Sequence, residues 1–391
     1  MRTDVVVIGG GIMGSALAYW LTHLDPSAAV TVIERDPTYA RASSALSAAS
    51  IRQQFSTPVN IRVSRESIGF LRRAGEWLSV GADRPDIGLT ERGYLYLAGE
   101  AGVAAMRAAN AVQRAEGADV ALLDPAALVQ RFPWLDVAGI ALGSLGTGSE
   151  GWFDGYALLT ALVRKARSQG ANYLRGEVTG IDVAGHRVTG LDLADGTHLG
   201  CGVVVNAAGP WAGRVAALAG VDLPVQARRR TVFVIGCKAA MPDFPLLIDR
   251  SGFWIRPEGP HYIGALAPPV ESDDPNEPPL EPELGKFETQ LWPALAARIP
   301  AFEAAKLERA WAGYYEYNTF DQNGILGLHP SLDNLVFMNG FSGHGIQQAP
   351  VVGRGIAELI LTGRYATLDL NDLGIARLID GRPLREENVI G

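Results

Sequence analysis

The strongest constraint on the fold of this chain is a run of glycines between two apolar segments near its start. Residues 5–8 are β-branched and apolar, residues 9–14 read Gly-Gly-Gly-Ile-Met-Gly, and residues 15–24 have the composition of a helix. A β-branched apolar run is typical of a strand buried on both faces of a sheet. A second such run, over residues 30–33, ends at Glu34. This order of strand, glycine turn, helix, strand and acid predicts one unit of a doubly wound α/β sheet.

Each glycine of this unit has a physical role in binding a dinucleotide. Gly9 permits the tight turn after the strand, Gly11 lets backbone amides approach a diphosphate, and Gly14 lets the helix pack closely on the sheet. Glu34 follows Gly14 by twenty residues, where it would accept hydrogen bonds from both ribose hydroxyls and disfavour a 2′-phosphate. Two questions stay open at this point. The turn could hold FAD or NAD, or it could be a glycine-rich turn that holds no ligand.

A second strand–glycine–helix unit occurs near the other end of the sequence. The spacing predicts a strand over residues 335–338, a glycine turn over 340–345 and a helix over about 348–361. A helix N-terminus preceded by glycine-rich backbone is a second site for an anion or a dipole. Two such units so far apart in sequence predict one sheet domain that is interrupted by a second domain.

The rest of the chain alternates between helix and strand patterns. We expect helices over residues 60–80, 101–116 and 155–170, and a short helix that starts at Asp124 and Pro125. An acidic, proline-rich stretch over 268–283 predicts a solvated loop. Alternating or apolar composition predicts strands in seven further segments: 86–98, 172–175, 178–183, 188–193, 201–211, 229–236 and 253–266.

Composition excludes several classes of protein. The 391 residues are 48% hydrophobic and 19% charged, so the chain can bury a sizeable core. The net charge of −8, without a basic block, argues against nucleic acid or an anionic membrane surface as the main partner. Two cysteines, Cys201 and Cys237, are too few for a disulfide framework. Since no apolar run reaches the roughly 18 residues of a spanning helix and no cleavable signal is evident, we expect a cytoplasmic protein.

Several segments, taken together, resemble the D-amino-acid oxidase superfamily of FAD-dependent oxidoreductases, which includes glycine oxidase, sarcosine oxidase and dimethylglycine dehydrogenase. They occur in family order and cover nearly the whole chain. The resemblance implies an α/β fold with a Rossmann-like FAD-binding domain and a second, mixed or antiparallel-sheet substrate domain, a dinucleotide fold of the glutathione-reductase type. The matching segments are residues 9–14 with Glu34, 206–211 (Asn-Ala-Ala-Gly-Pro-Trp), 311–313 (Trp-Ala-Gly) with 321–327, and 340–346 (Gly-Phe-Ser-Gly-His-Gly-Ile).

The predicted domains are both discontinuous. The FAD-binding domain would comprise residues 1–84, 146–224 and 318–391, and the substrate-binding domain residues 85–145 and 225–317. A narrower likeness links the chain to the branch typified by FAD-dependent oxidoreductase domain-containing protein 1, on the segments 50–56, 312–324 and 340–350. The animal member of that branch is linked to assembly of respiratory complex I, so a non-catalytic flavoprotein assembly factor is one alternative function.

The resemblance also implies which residues hold FAD. The first glycine turn would bind the diphosphate, Glu34 the adenosine ribose, the loop at Ser43 the phosphates, and the turn at residues 343–346 the isoalloxazine ring. A reduced ring carries negative charge, which a helix N-terminus stabilises. The predicted cofactor-binding residues are Gly9, Gly11, Ile12, Met13, Gly14, Glu34, Arg35, Ser43, Ser44, Val178, Ala207, Gly209, Trp211, Gly343, His344, Gly345 and Ile346.

Three departures from the family qualify these expectations. Tyr314 stands where sarcosine oxidase has its flavin-linked cysteine, and Leu46 stands where dimethylglycine dehydrogenase has its flavin-linked histidine. We therefore expect non-covalent FAD. Tyr315 replaces the arginine with which glycine oxidase grips the substrate carboxylate, so the carboxylate anchor must lie elsewhere.

Four side chains are candidates for contact with the substrate: Arg52, His344, Tyr315 and Arg256. Arg52 lies in an uncharged stretch and matches a carboxylate-binding arginine of sarcosine oxidase, although a structural ion pair is the alternative. Arg256 lies in the predicted substrate sheet and is the weaker candidate. His344 could act on the flavin or on O₂ as a cation, or it could cap backbone. Tyr315 could form an aromatic wall, or pack in the core.

The run of arginines at 228–230 precedes a predicted strand. At most one of the three should face a pocket, and we expect the run to form a solvated face. The histidines other than His344 are scattered without the spacing of metal ligands, so no metal site is predicted.

The leading functional hypothesis is FAD-dependent oxidation of an amino acid at its Cα–N bond. A hydride equivalent would pass to flavin N5, and the imine would be hydrolysed to a 2-oxo acid and an amine. We expect a small amino acid or amine as substrate, glycine-like or an N-substituted glycine, and O₂ or another electron acceptor. Oxidation of a 2-hydroxy acid is an alternative from the same superfamily. A dehydrogenase that uses only a nicotinamide cofactor is disfavoured by the second glycine–helix unit.

Overall fold

The computed structural model describes residues 2–268 and 277–387, which form two large sheets, a two-stranded ribbon and the helices around them. The strands are β1 (Arg2–Ile8), β2 (Val30–Glu34), β3 (Ser50–Ile51), β4 (Tyr94–Ala98), β5 (Val120–Leu123), β6 (Leu142–Gly146), β7 (Gly151–Trp152), β8 (Asn172–Arg175), β9 (Val178–Ala184), β10 (Arg187–Leu193), β11 (His198–Asn206), β12 (Val225–Gly236), β13 (Leu246–Ile248), β14 (Phe253–Glu258), β15 (His261–Leu266), β16 (Lys306–Asn318), β17 (Ile325–Leu328) and β18 (Leu335–Asn339).

Short 3₁₀ turns and one π-helical segment, Phe287–Leu291, supplement the α-helices. None of the helices in the described residues is both long and apolar enough to cross a lipid bilayer. The α-helices are α1 (Ile12–Leu24), α2 (Ser43–Leu46), α3 (Pro58–Arg72), α4 (Ala74–Trp77), α5 (Val103–Ala115), α6 (Pro125–Arg131), α7 (Gly155–Ser168), α8 (Ala212–Leu218), α9 (Trp292–Arg298), α10 (Gly345–Thr362) and α11 (Ala376–Ile379).

The first sheet has a parallel core in the order β18–β11–β1–β2–β8. The antiparallel strand β17 flanks β18, and the β9–β10 hairpin attaches to β11. Residues 5–8 of β1 and nearly all of β2 and β18 are buried, as their apolar sequences predict for parallel strands covered on both faces. Helices α1, α7 and α10 pack together on one face, and α8 lies on the other.

The second sheet has the order β16–β12–β15–β14–β13–β4–β6–β5 and is antiparallel except between β13 and β4. Its core combines sheet residues such as Phe233 and Phe253 with Leu295 of α9 and Phe302. The two sheets confirm the predicted α/β fold with a second, mostly antiparallel sheet. Their strands come from the segments assigned to the two predicted domains, apart from the end residues Gly146 and Asn318. The division into domains itself stays a prediction.

Most predicted helices are present, with shifted ends. The predicted short helix at Asp124 is confirmed as α6, because the Asp124 carboxylate caps the amide of Ala127 at 2.8 Å. The single helix expected over 60–80 is instead two, α3 and α4, because Arg73 leaves helical geometry with φ −107° and ψ 11°. The predicted C-terminal helix begins earlier than expected, at Gly345.

Several predicted strands differ from the observed ones. Over residues 86–98 a regular strand forms only at β4, and Thr90 makes an isolated bridge to Trp152. The strand expected over 229–236 begins at Val225, because β12 pairs with β16 along nearly its whole length. Part of the acidic loop predicted over 268–283 lies outside the described residues.

Two glycines of the first turn are required by close backbone contacts. Gly9 has φ +102°, and a Cβ atom there would lie 2.4 Å from the carbonyl oxygen of Ala207. A Cβ atom on Gly14 would lie 1.9 Å from the carbonyl oxygen of Gly9. These contacts let α1 begin directly against the ends of β1 and β11.

We predict that Gly14→Ala lowers the free energy of unfolding by at least about 2 kcal/mol, because the methyl group must displace backbone rather than a side chain. Gly69→Ala is the matched control. Gly69 lies in α3 with nothing within 4 Å of the added Cβ, so alanine there should be neutral or stabilising by up to about 1 kcal/mol. Urea unfolding followed by circular dichroism measures both; equal effects of the two substitutions would contradict this account.

Candidate functional site

A cavity of about 400 Å³ lies at the carboxyl ends of β1, β2 and β11 and is closed by residues of β12, β13 and β16. Ligands of open α/β sheets bind at this edge. Every predicted cofactor-binding residue except Gly14 lies on its wall, and so do Arg52, His344 and Tyr315. Arg256 does not line the cavity. The structure therefore brings together residues that are more than 300 positions apart, whereas their individual roles stay predictions.

The glycine end of the cavity is formed by the N-terminus of α1. The N-cap residue Gly11 has no side-chain cap, and the Ile12 amide donates to Ser44 Oγ at 2.9 Å. A Cβ atom on Gly11 would lie 3.3 Å from the same oxygen. The positive end of the α1 dipole thus faces the cavity, which suits an anionic ligand group.

Glu34 lies where the first two strands end, beside this helix. Its carboxylate accepts the amides of Gly10 and Asp36, both at 2.8 Å. Burial raises the pKa of Glu34, and the two amide hydrogen bonds oppose that effect. The fixed carboxylate faces the cavity beside the glycine turn, as binding to a ribose requires.

The outer end of the cavity is rich in arginine. The Arg35 guanidinium carbon stacks 3.7 Å from the ring centroid of Trp211. Glu277 accepts a hydrogen bond from Trp211 Nε1 at 2.8 Å and pairs with Arg41 and Arg214. Arg35, Arg41 and Arg214 all lie on the wall, and each of them is paired with an acid, since Arg35 lies 3.8 Å from Glu177.

The second helix N-terminus, that of α10, also reaches the cavity. Gly343 has φ +95°, and a Cβ atom there would lie 2.6 Å from the ring of Tyr315. The N-cap residue His344 makes no side-chain cap, so the start of the 18-residue helix α10 faces the cavity. Its dipole favours negative charge at this end also.

Arg52 is buried, with 4% of its surface exposed, and it lies on the cavity wall. Its Nη1 donates to the carbonyl of Gln54 at 2.7 Å, and its Nη2 lies 2.8 Å from His344 Nε2. The guanidinium also lies 4.2 Å from the centroid of Phe55. These partners are uncharged, so the structural ion pair considered as an alternative for Arg52 is not what holds it. The direct contacts of this buried cation are therefore neutral, while the more distant carboxylates of Glu150 and Glu386 act on its charge and, against the effect of burial, raise its pKa.

His344 is neutral in this arrangement. Burial and then the charge of Arg52 hold its pKa well below the ordinary value. Since a guanidinium can only donate, Nε2 of His344 accepts, and the ring proton lies on Nδ1. The cationic role expected for His344 is therefore wrong, and its visible role is to hold Arg52.

The sequence analysis missed a buried carboxylate, that of Glu150, which holds the backbone segment that binds Arg52. Glu150 is 1% exposed and accepts the amide of Gln53 at 2.6 Å and the side-chain Nε2 of Gln54 at 2.8 Å. Since the Gln54 carbonyl holds Arg52, Glu150 fixes the segment that carries the guanidinium. Burial raises the pKa of Glu150 to about 7.

Aromatic and aliphatic side chains line much of the cavity that Arg52 faces. Tyr315 lies on this wall, whereas the hydroxyl of Tyr314 donates to the Pro278 carbonyl at 2.6 Å. Tyr317 packs against Arg228 with 5.0 Å between guanidinium and ring centroid. The cavity lining also includes a mostly apolar set of residues: Tyr94, Val232, Leu246, Ile248, Trp254 and Ala265.

The arginine run and Arg256 differ from expectation. Arg230 is buried on the cavity wall and lies 4.9 Å from the Tyr315 ring centroid, and Arg228 and Arg229 are half-buried, so the solvated face predicted for this run is wrong. Arg256 is 3% exposed, pairs with Glu258 and donates to the Ala48 carbonyl at 2.7 Å. Arg256 therefore holds the loop before β3, and its geometry gives no support to the catalytic role predicted for it.

Glu316 also lines the cavity and was missed. Glu150 stands in no motif, and Glu316 lies within the segment 312–324 that carries the narrower resemblance but was not singled out there. Among the described residues, one group of possible metal ligands, Asp182, Asp192 and His198, lies exposed on the β9–β11 surface. We assign no metal to it, because exposed carboxylates are common without one.

Comparison with known proteins identifies the kind of site. A family model described as FAD dependent oxidoreductase matches residues 4–359. FAD-dependent oxidoreductase domain-containing protein 1 of Xenopus laevis is 43% identical over 425 residues, which span 100% of this chain and 85% of that protein. Glycine oxidase of Bacillus licheniformis is 28% identical over 378 residues, spanning 92% of this chain and 93% of the relative.

A solved structure matches the whole fold as well. The crystal structure of L-proline dehydrogenase from P. horikoshii superimposes with a TM-score of 0.87 at 26% identity, covering 98% of this chain and 99% of that one. The cavity found here fits FAD on its own geometry. Two glycine turns, the N-termini of α1 and α10 and the carboxylate of Glu34 all line this one cavity, as binding of a dinucleotide requires.

We predict that Glu150→Gln makes stability less dependent on pH. The folded pKa of about 7 lies above the ordinary 4.5, so the folded state binds the extra proton, and stability is lost as pH rises from 4.5 through 7. This loss is at most roughly 3 kcal/mol. Urea unfolding at pH 5, 6, 7 and 8 should show a smaller decline in Glu150→Gln than in the wild type. Glu100→Gln, at an exposed acid, is the control, and equal declines in all three proteins would disprove the assignment.

Proposed function

Because this chain belongs to the family of FAD-dependent oxidoreductases and FAD is its cofactor, we propose that it oxidises an amino acid at the Cα–N bond. The substrate would be glycine-like or an N-substituted glycine, that is, a secondary amine. The observation that carries this proposal is the buried guanidinium of Arg52, whose partners are uncharged and which faces the cavity. A substrate carboxylate would supply the missing negative charge in a bidentate contact.

In this proposal FAD lies along the cavity without a covalent bond. Residues of the first glycine turn hold the diphosphate at the N-terminus of α1, and Glu34 holds the adenosine ribose. The start of α10, at Gly343 and His344, faces the ring. When bound, FAD supplies two-electron acceptor chemistry, and the protein supplies binding and orientation.

The wall next to Arg52 suits an amine that carries a substituent. Tyr94, Trp254 and Tyr315 provide aromatic surface within the same chamber as the guanidinium. This surface could cover an N-alkyl group while Arg52 fixes the carboxylate, so that the Cα–H bond is held in one orientation. Neutral His344 keeps Arg52 in place and takes no proton from the substrate, because its Nε2 is occupied.

The overall reaction removes a hydride equivalent from Cα and a proton from the amine nitrogen. The resulting imine takes up water and gives a 2-oxo acid and an amine. The two electrons removed from the substrate would finally pass to O₂ or to another electron acceptor. The division into an FAD-binding and a substrate-binding domain and the cytoplasmic location belong to the same proposal.

We predict that the purified yellow protein loses its absorbance near 450 nm when N-alkyl amino acids are added without oxygen. Glycine-like primary amines and 2-hydroxy acids are tested in parallel, and admission of air then shows whether O₂ restores the colour. The products should be a 2-oxo acid and an amine. Bleaching by 2-hydroxy acids alone would replace the proposal with hydroxy-acid oxidation. Failure of every carboxylate to bleach the protein would favour a non-catalytic flavoprotein.

We predict that Arg52→Lys raises KM for the carboxylate substrate by roughly ten- to hundredfold, because a lysine cannot make the bidentate contact and loses a charge-assisted hydrogen bond. Arg256→Lys is the matched comparison, since Arg256 is equally buried but lies off the cavity. Steady-state kinetics and FAD content are measured for both. If Arg256→Lys raised KM and Arg52→Lys did not, Arg256 would be the anchor and the assignment would be reversed.

A further inference from the structure

Glu316 is a carboxyl group on the cavity wall that the proposed reaction does not use. It lies on β16, next to Tyr315, and lines the cavity. A Cβ atom built on Gly345 would lie 3.1 Å from Glu316 Oε1, and one built on Gly209 would lie 4.0 Å from Oε2. The carboxyl group is therefore held between the start of α10 and the turn after β11, two backbone segments predicted to contact the cofactor.

The surroundings of Glu316 favour its neutral form. Burial raises its pKa to about 8, although the backbone of Gly340 and of Phe341 opposes this effect through hydrogen bonds to the carboxylate. No charged side chain of the described residues contributes to the shift. At neutral pH the group is mostly a carboxylic acid, which has an O–H to donate.

Other ionisable groups face this part of the cavity, but they do not change charge between pH 7 and 9. On the turn before α10, His344 is neutral because its pKa is far below the ordinary value. The guanidinium groups on this wall belong to Arg52, beside β3, and Arg230, on β12. Burial raises the pKa of Tyr315 on the same strand, which keeps the phenol protonated. Glu150 titrates near pH 7, but it lies behind Arg52 and does not line the cavity.

We propose that Glu316 meets bound FAD as a neutral acid and binds one extra proton when FAD is reduced at alkaline pH. This rests on the proposed function only in placing the ring at the α10 end. Reduction adds negative charge to the ring, and a neighbouring carboxylate is repelled by that charge whereas a carboxylic acid is not. In this step FAD takes up two electrons and one proton. A second proton, from solvent, binds the carboxylate of Glu316.

The experiment measures the reduction potential of the FAD-loaded protein at several pH values. The slope of the potential against pH gives the number of protons taken up per two electrons. Dithionite reduces the wild type, Glu316→Gln and Glu150→Gln in the presence of indicator dyes between pH 6 and 10. The wild type and Glu150→Gln should take up one more proton than Glu316→Gln above about pH 8, and the same number below it. Equal proton numbers in all three proteins at every pH would overturn the proposal.

A second measurement covers the case in which Glu316→Gln does not fold or retain FAD. The reduced-minus-oxidised infrared spectrum of the wild type at pH 9 should gain a carboxylic acid carbonyl band, and its absence would equally overturn the proposal. No substrate enters either experiment. The substrate-bleaching experiment therefore fails or succeeds independently of the role of Glu316.

Discussion

The parallel pairing of β11 with both β1 and β18 is the constraint on which the rest of the site depends. It places the turn after β1, the turn after β11 and the turn after β18 side by side at one edge of the first sheet. Helices α1 and α10 start from the outer two turns, so two positive helix ends from opposite parts of the chain face one cavity. The contact of Gly9 with the Ala207 carbonyl shows how little space separates these turns. Two positive helix ends that face one cavity suit a ligand that carries negative charge.

The second sheet completes the site by burying charge that the first sheet alone would leave in water. Arg52 follows the short strand β3, and its guanidinium is fixed by Gln54 and His344 rather than by an acid. Burying a cation whose hydrogen-bond partners are neutral costs free energy, although the charges of Glu150 and Glu386 also act on Arg52. Burial raises the pKa of Glu150 to about 7, and its oxygens accept hydrogen bonds from residues 53 and 54 rather than from Arg52 itself. The acid therefore acts on the guanidinium through the backbone segment that it holds and through its charge, not through a direct ion pair.

The parts of this site that could be predicted from sequence are those encoded by contiguous residues. Strand β1, the glycine turn and Glu34 could be predicted because each residue has a local geometric reason, and the structure puts Glu34 beside that turn. Arg52 could be proposed from its uncharged neighbours. Glu150 could not, because its role depends on a contact with a segment about 97 positions away. The predicted charge of His344 failed for the same reason, since only its contact with Arg52 and its burial show that the ring is neutral.

The register between β12 and β16 explains why Tyr315 and Glu316, adjacent in sequence, serve different parts of the cavity. Successive side chains of a strand point to opposite faces, so Tyr315 meets Gly343 and Arg230 while Glu316 meets Gly209 and Gly345. A slip of the β12–β16 pairing by one residue would exchange the two faces of β16. It would then place the carboxyl group of Glu316 beside the guanidinium of Arg230. The continuous pairing from Val225 to Val234 prevents such a slip, since its one irregularity lies at the far end of the ladder, beyond Val234. The long ladder is therefore what keeps Glu316 on the strand face opposite to the one on which Tyr315 meets Arg230.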